Sequence, residues 1–419
     1  MPALLNFNVE NFRSIKGNIS FSMIPSRITD EPKGCVIKDD KYKYLSSAVI
    51  YGANSSGKSN VVLALAAMRH MVLNSVKLND DDKLNYDPFL LSTETMDKPT
   101  HFEIEFVDND YNKVRYGFEY NSQMVLKEWL FIQEKRKENI CFIRDAEGIA
   151  VNSSYFPEGD GNEERTNDNR LYISLLAQLG GNVSKKIISF FRFYNVISGL
   201  TDKGYTGITE KMFHNQEELS ASLMEFYKKI GLGFDGIETA ERNIELPEDM
   251  PDSLKKKYSD KKVIDVYSTH GRLNEKGDII DHIRFPFFTK ESQGTQKLFE
   301  LSGPIFDSLS MGRVLIIDEL DAKMHPLISQ YIISLFNDKS KNPNKAQLIF
   351  TTHDTNLLAS GLLRRDQIWF TEKDQFDSTD LYNMMNIVLP DGTKPRGDGN
   401  LERNYIKGRY GAIPFIKSF

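Results

Sequence analysis

Gly52-Ala53-Asn54-Ser55-Ser56-Gly57-Lys58-Ser59 decides how this chain is read, together with the runs on either side of it, Ser46–Tyr51 and Asn60–Met71. The octapeptide fits G-x-x-x-x-G-K-[ST]. Ahead of it, SSAVIY reads as a short buried strand, and behind it the mostly apolar NVVLALAAM opens a helix. Strand, glycine-bounded loop and helix N-terminus together suit a phosphate. The loop amides converge as a nest, and the helix dipole adds about half a positive charge at its start. In that setting Lys58 reaches the β- and γ-phosphates and the Ser59 hydroxyl holds Mg2+. Flanked in this way, the loop is expected to bind a nucleoside triphosphate.

At 419 residues the chain exceeds one ordinary core, so two or more lobes are expected. With 40% hydrophobic and 27% charged residues, its composition is that of a soluble globular protein. A net charge of -6 argues against a generally basic nucleic-acid coat, yet leaves room for a local basic groove. Cys35 and Cys141 have neither metal-ligand spacing nor a disulfide framework, which makes a reducing cytoplasm the simplest setting. The N-terminal MPALLNFNVENF lacks the basic-then-apolar pattern of a signal peptide. No apolar run approaches the ~20 residues that span a bilayer, so no membrane partner is expected.

Along the chain, ALLNFNVENFRSIKGNISFSMIP reads as two strands around a turn at Lys16-Gly17. Strand-like runs begin at Thr100, Val114, Val125 and Ile140, spaced as an antiparallel sheet built on the nucleotide lobe. The acidic stretch Asn152–Asn169 reads as a solvated loop. Helical patterns then run from Arg170 to about Leu232, including KKIISFFRFYNVI, as an insertion between two halves of one nucleotide domain. That helix carries Lys185, Lys186 and Arg192 beside Phe190, Phe191, Phe193 and Tyr194. Such interleaving can stack bases, but at helical spacing it is more often core with a solvated rim. The run LKKKYSDKK reads as solvated.

The second half of the site begins at Arg313-Val-Leu-Ile-Ile-Asp318-Glu319, an apolar strand ending in two acids. Asp318 suits the metal side, and Glu319 suits the base that polarises an attacking water. Lys58 and Asp318 lie 260 residues apart, too far for a simple AAA+ or Ras-like core. Before the acids, Glu291-Ser292-Gln293-Gly294 is expected to open a helix, Gln296–Leu309, whose N-terminus offers a second phosphate-binding end. After them come Leu320-Asp321, Met324-His325-Pro326, and a strand ending at Thr351-Thr352-His353-Asp354. From that strand end the imidazole can reach a γ-phosphate. Asp374, Asp377 and Asp380 read as a solvated turn rather than a metal site.

In this order the motifs resemble ABC-type ATPases. Asn11–Ile15 (NFRSI) and the Asn60 after the phosphate loop are similar to the SMC and RecF branch. ESQGTQKLFEL, LIIDELDAKMHP and the closing YIKGRYGAIPFI resemble abortive-infection ATPases of the RloA/AbiL group, related to the ATPase domain of OLD nucleases. The likeness covers Met1 to about Leu91 and Ile283–Phe419 well, and the middle only loosely. It implies that Ser292 and Gly294 contact the γ-phosphate of a partner's ATP. It also implies that Asp321 lies across the dimer seam, His353 senses the γ-phosphate, and Arg13 approaches the nucleotide. Two departures stand out: Ser-Gln-Gly-Thr-Gln replaces Ser-Gly-Gly-Gln in the signature, and neither Gln123 nor Gln133 is decisive as the Q-loop glutamine.

The expected fold is α/β: an ABC-type P-loop nucleotide-binding domain with a mixed sheet, an antiparallel side sheet and a helical insertion. Residues 1–150 form its N-terminal half, 151–280 a mainly helical partner or dimer arm, and 281–419 its C-terminal half. The expected function is ATP binding and hydrolysis with Mg2+ at composite sites of a homodimer. The resemblance implies an anti-phage role through a separate nuclease or toxin effector, with nucleic acid as a further candidate partner. The alternatives are a RecF/SMC-like DNA-repair ATPase and a scaffold whose ATP only holds the dimer together.

Overall fold

Alternating buried and half-exposed positions along Ala3–Glu10 make the first strand, β1, and Ile19–Ser22 returns beside it as β2. The computed structural model describes residues 2–28, 32–39, 41–200, 205–244, 250–251, 255, 262–397 and 399–414. Two compact units emerge: Met1–Ser198 with Ser308–Asp321 and Ser329–Phe419, and Gly199–Asp307 with Ala322–Ile328.

In the first unit a short pair, β3 (Val36–Lys38) and β4 (Lys43–Leu45), leads into β5 (Ser47–Gly52) and helix α1 (Lys58–Asn74). Next come β6 (Thr100–Val107), β7 (Lys113–Tyr120), β8 (Val125–Gln133), β9 (Glu138–Asp145) and β10 (Gly148–Val151). They extend the β1–β2 hairpin into a seven-stranded antiparallel sheet of order β10-β9-β8-β7-β6-β1-β2. The four strands expected from Thr100, Val114, Val125 and Ile140 are all present.

Helices α2 (Tyr172–Gln178) and α3 (Asn182–Phe193) belong to this unit. Carboxylates distant in sequence cap both. Glu128 on β8 accepts from the Tyr172 and Ile173 amides at 2.6 and 3.0 Å and from the Tyr116 hydroxyl at 2.9 Å. Glu158 accepts from the Val183 and Ser184 amides at 2.9 and 2.7 Å. Each cap satisfies orphan amides and meets the positive end of a helix. Phe190 stacks on Phe106 of β6, with centroids 3.8 Å apart and planes 4° off parallel, and Phe191 and Tyr194 are buried with it. The aromatic face of α3 is therefore core, and Lys186 pairs with Asp110 on its rim.

After α3 the chain turns at once into β11 (Tyr194–Ser198), although the periodicity suggested helix through YNVI. β-Branched Val196 and Ile197 pair in parallel with β15 (Val314–Asp318), opposite Ile316 and Ile317. A central sheet follows the order β11-β15-β16-β5-β17-β18, with β16 (Gln347–Thr351), β17 (Ile368–Lys373) and β18 (Thr379–Asn383). Only β18 runs antiparallel to its neighbour. β5 and β16 are buried at every position, which is why they read as continuous apolar runs.

The second unit holds α4 (Thr206–Asn215), α5 (Glu217–Lys229) and an antiparallel sheet of β12 (Gly236–Asn243), β13 (Lys262–Leu273) and β14 (Ile279–Pro286). It also holds most of a helix over Gln293–Met311, three residues earlier than expected, with Pro304 inside it. The expected insertion at 151–280 and this unit do not coincide. Residues 151–198 pack with the first unit, and the second carries a sheet as well as helices. The alternation of IRFPFF from Ile283 marks β14, but β12 and β13 escaped notice because cross-strand charges such as Arg242–Asp265 replace apolar alternation. Most of LKKKYSDKK, and Phe415 and Ile416 of the closing motif, lie outside the described residues. Among the described residues, no helix is long and apolar enough to cross a membrane.

Glu128 is fully buried, so Glu128→Ala leaves two helix amides and a tyrosine hydroxyl without their acceptor. We expect a loss of about 3 kcal/mol or more, read as a lower urea midpoint, with Glu128→Gln losing less because it keeps one acceptor oxygen.

Candidate functional site

Residues 52–57 leave β5 and turn back so tightly that two glycines have no room for a side chain. A Cβ on Gly52 would run into Ser56 and Thr371, and one on Gly57 would fall inside the Thr379 side chain. Gly57 also has φ of 106°, a left-handed conformation that glycine adopts without strain. It is the residue before the first turn of α1, whose amides and dipole face the loop.

The neighbouring hairpin β17–β18 holds the loop from outside. Thr371 Oγ1 lies 2.6 Å from Ser56 Oγ, and Thr379 donates to the Ser56 carbonyl at 3.1 Å. Ser14 Oγ lies 2.7 Å from Thr379 Oγ1 and accepts from Asn60 Nδ2 at 2.6 Å. Inside the loop, Lys58 Nζ donates to the Gly52 and Ala53 carbonyls at 2.9 and 3.0 Å. Burial lowers the Lys58 pKa from its usual 10.5, while the nearby Glu319, Asp318 and Asp321 carboxylates oppose that fall. Two of its three protons are engaged, which leaves one for a ligand.

The acidic strand β15 lies one strand beyond β16, not beside β5. Thr351, at the end of β16, ties the two acids together. Its hydroxyl donates to Asp318 Oδ1 at 2.7 Å and accepts the Glu319 amide at 2.7 Å. Glu319 has φ of 57°, a sparsely populated conformation for a side-chain-bearing residue, and one that such a bond helps to hold. Asp321 Oδ2 accepts the His353 amide at 3.3 Å, and Asp321 Oδ1 is buried with no hydrogen-bond partner among the described residues.

A cavity of about 840 Å3 opens over the loop, lined by Ser14, the seven residues Asn54–Asn60, Glu319, His353 and Lys373. Its size is that of an ordinary small-ligand site. Most of the candidates named from sequence meet here. Gly52 and Ala53 act from behind through Lys58, Asp318 through Thr351, and Asp321 through the His353 backbone. Arg13 points elsewhere: its Nε bonds Asp87 Oδ2 at 2.8 Å, and Ser14 beside it faces the cavity instead. Gln123 and Gln133 are not in the wall. Ser14, Thr371, Lys373 and Thr379 were missed, because isolated polar residues beside turns carry no periodic signal.

In the second unit Ser292 caps the helix Gln293–Met311, its Oγ accepting the Thr295 amide at 3.1 Å. A Cβ on Gly294 would lie 3.3 Å from the Lys323 carbonyl, so that turn leaves little space for a larger residue.

A polyphosphate with Mg2+ fits these residues. Among the described residues no cluster of three or more His, Cys, Asp or Glu side chains is set up for a metal. Ser59, in the cavity wall, and Asp318, bonded to Thr351, would supply only part of a shell, which Mg2+ would complete with phosphate oxygens and water.

A glycine-bounded loop between a central parallel strand and a helix, with an acidic strand two positions away, defines a P-loop nucleotide-binding protein. The chain belongs to the AAA domain family described as putative AbiEii toxin, type IV toxin–antitoxin system, which matches residues 47–359. No curated protein matches it. Three solved structures show a distant likeness, each at 12% identity. The SMC head domain from Thermotoga maritima aligns over 91% of this chain and 98% of that one, with a TM-score of 0.40. The SMC head bound to the C-winged helix domain of ScpA aligns over 90% and 97%, at 0.42. The recombination mediator protein RecF-ATPrS in the RecFOR pathway aligns over 91% and 98%, at 0.38.

The lowered Lys58 pKa gives a test of the cavity. Phosphate binds the protonated lysine and raises its pKa, so affinity is full below the pKa of the free protein. Affinity then falls as pH rises through that pKa toward 10.5. Titration with a non-hydrolysable ATP analogue should show this alkaline loss, and Lys58→Arg should remove it whatever its effect on affinity at neutral pH.

Proposed function

We propose that the chain binds ATP with Mg2+ over the phosphate loop and hydrolyses it as the nucleotide switch of a homodimer. One observation carries this reading: Asn54–Asn60, Glu319 and His353 line a single cavity. Lys58 would hold the β- and γ-phosphates, and the loop amides would cradle them. Bound Mg2+ would neutralise charge on the bridging phosphates, with Ser59 and Asp318 on its protein side. Glu319 serves as general base toward water, its carboxylate aimed by the left-handed backbone and the Thr351 bond. His353 reaches the γ-phosphate from a strand end fixed by Asp321.

Ser292 and Gly294 sit at a helix N-terminus, where amides and dipole suit a phosphate. We assign them to the ATP of the second copy, with Asp321 at the seam. The resemblance to RloA/AbiL-type ATPases and the toxin–antitoxin description of the family support a sensor subunit of an anti-phage system. The effector, a nuclease or toxin, is then a separate chain. A cytoplasmic setting agrees with two buried cysteines, Cys35 and Cys141, that are not joined in a disulfide.

Glu319→Gln should keep ATP affinity and lower turnover by at least ~100-fold, the usual worth of a general base. Near-normal single-turnover hydrolysis in that variant would take Glu319 out of the role. In the Glu319→Gln background ATP should promote dimerisation in sedimentation experiments, and a further Ser292→Arg should abolish it while the monomer still binds ATP. Full turnover by a monomer at high dilution would remove the composite site.

A further inference from the structure

Lys373 lines the cavity on the opposite side of the phosphate loop from the hydrolytic groups, and no motif named from sequence accounts for it. The central sheet fixes this sidedness. β5, which feeds the loop, lies between β16 and β17. His353 follows β16, and Glu319 follows β15 one strand further out, so the base and the γ-phosphate sensor share one flank. β17 forms the other flank and ends at Lys373.

The hairpin that presents Lys373 is locked to the loop. Thr371 pairs with Gly52 across the β5–β17 ladder and touches Ser56, and Thr379, directly opposite Lys373, bonds the Ser56 carbonyl. A cation at this position is held in register with the phosphate loop by packing. Its partner is Asp377 at 3.6 Å, in the exposed turn of the same hairpin. Exposed pairs of this kind contribute little, so a polyphosphate arriving in the cavity outcompetes Asp377 for the ammonium group.

We propose that Lys373 is a second phosphate-binding cation, passing from Asp377 to the nucleoside-side phosphates, α and β, while Lys58 and His353 serve the γ-phosphate end. This rests on the ATP reading of the cavity. It makes Lys373 a binding residue for ADP and ATP alike, so the hairpin grips nucleotide before and after hydrolysis.

The test is calorimetric titration of the full chain with ADP and with a non-hydrolysable ATP analogue. Lys373→Gln should weaken both by a similar factor, about ten- to hundredfold, the worth of one charged hydrogen bond. Lys373→Arg should retain most of the affinity, and Asp377→Asn should tighten both ligands by about two- to threefold. The melting temperature without nucleotide should match the wild type in all three variants, which separates lost binding from lost folding. Unchanged affinities in Lys373→Gln overturn the proposal, and a loss confined to the ATP analogue overturns the assignment to the α and β positions. If the wild type binds neither ligand, the ATP reading itself fails. If the wild type binds both and Lys373→Gln binds equally well, only the role of Lys373 fails.

Discussion

The closure of Thr371 and Thr379 on the phosphate loop is the constraint on which the rest of the site depends. A phosphate loop keeps most of its amides available to a ligand, so its shape must be held largely by neighbours. Two threonine hydroxyls from the β17–β18 hairpin bond Ser56, and their bulk excludes any side chain at Gly52 and Gly57. The same hairpin reaches Ser14, and through it Asn60 in the first turn of α1. Loop, helix start and outer hairpin are thereby one packed body. Pre-organisation of this kind lets a phosphate bind without a further ordering cost.

Electrostatics on the opposite flank follow from strand order. β16 separates β5 from β15, so the acids stand one strand away from the lysine rather than against it. Lys58 still feels all three carboxylates, yet bonds only backbone carbonyls. A direct ion pair would have to be broken before phosphate could bind, and a carbonyl contact is weaker. Thr351 holds Asp318 and Glu319 through one hydroxyl, which couples the Asp318 carboxylate to the Glu319 backbone.

Buried Glu128 on β8 of the antiparallel sheet and half-buried Glu158 in the loop beyond that sheet both reach helix starts. Glu128 and Glu158 cap α2 and α3, and α3 runs straight into β11 beside the acidic strand, with Ser198 opposite Asp318. A movement of the capped helices would therefore bear on the strand that ends at Asp318. The aromatic face of α3 is occupied by Phe106 and cannot stack bases.

By itself the sequence determined the phosphate loop, its strand and helix, the acidic strand, and the four strands from Thr100 onward. Those features depend on local spacing: fixed glycines, a run of apolar residues, or alternation with period two. It also brought Glu319 and His353 to the loop in advance, because each ends a strand of recognisable pattern. Only the tertiary structure decided that YNVI is a strand, since Val196 and Ile197 take their conformation from the partner β15 and not from the preceding helix. It alone turned Arg13 to Asp87 and Ser14 to the cavity, adjacent residues that local sequence cannot tell apart. It alone found strands at Gly236–Asn243 and Lys262–Leu273, where cross-strand ion pairs stand in for apolar alternation. And it alone placed Thr371, Lys373 and Thr379, whose meaning lies in a loop more than 300 residues away in the chain. Such contacts are made by sheet register, and register is a property of the assembled sheet rather than of any one segment.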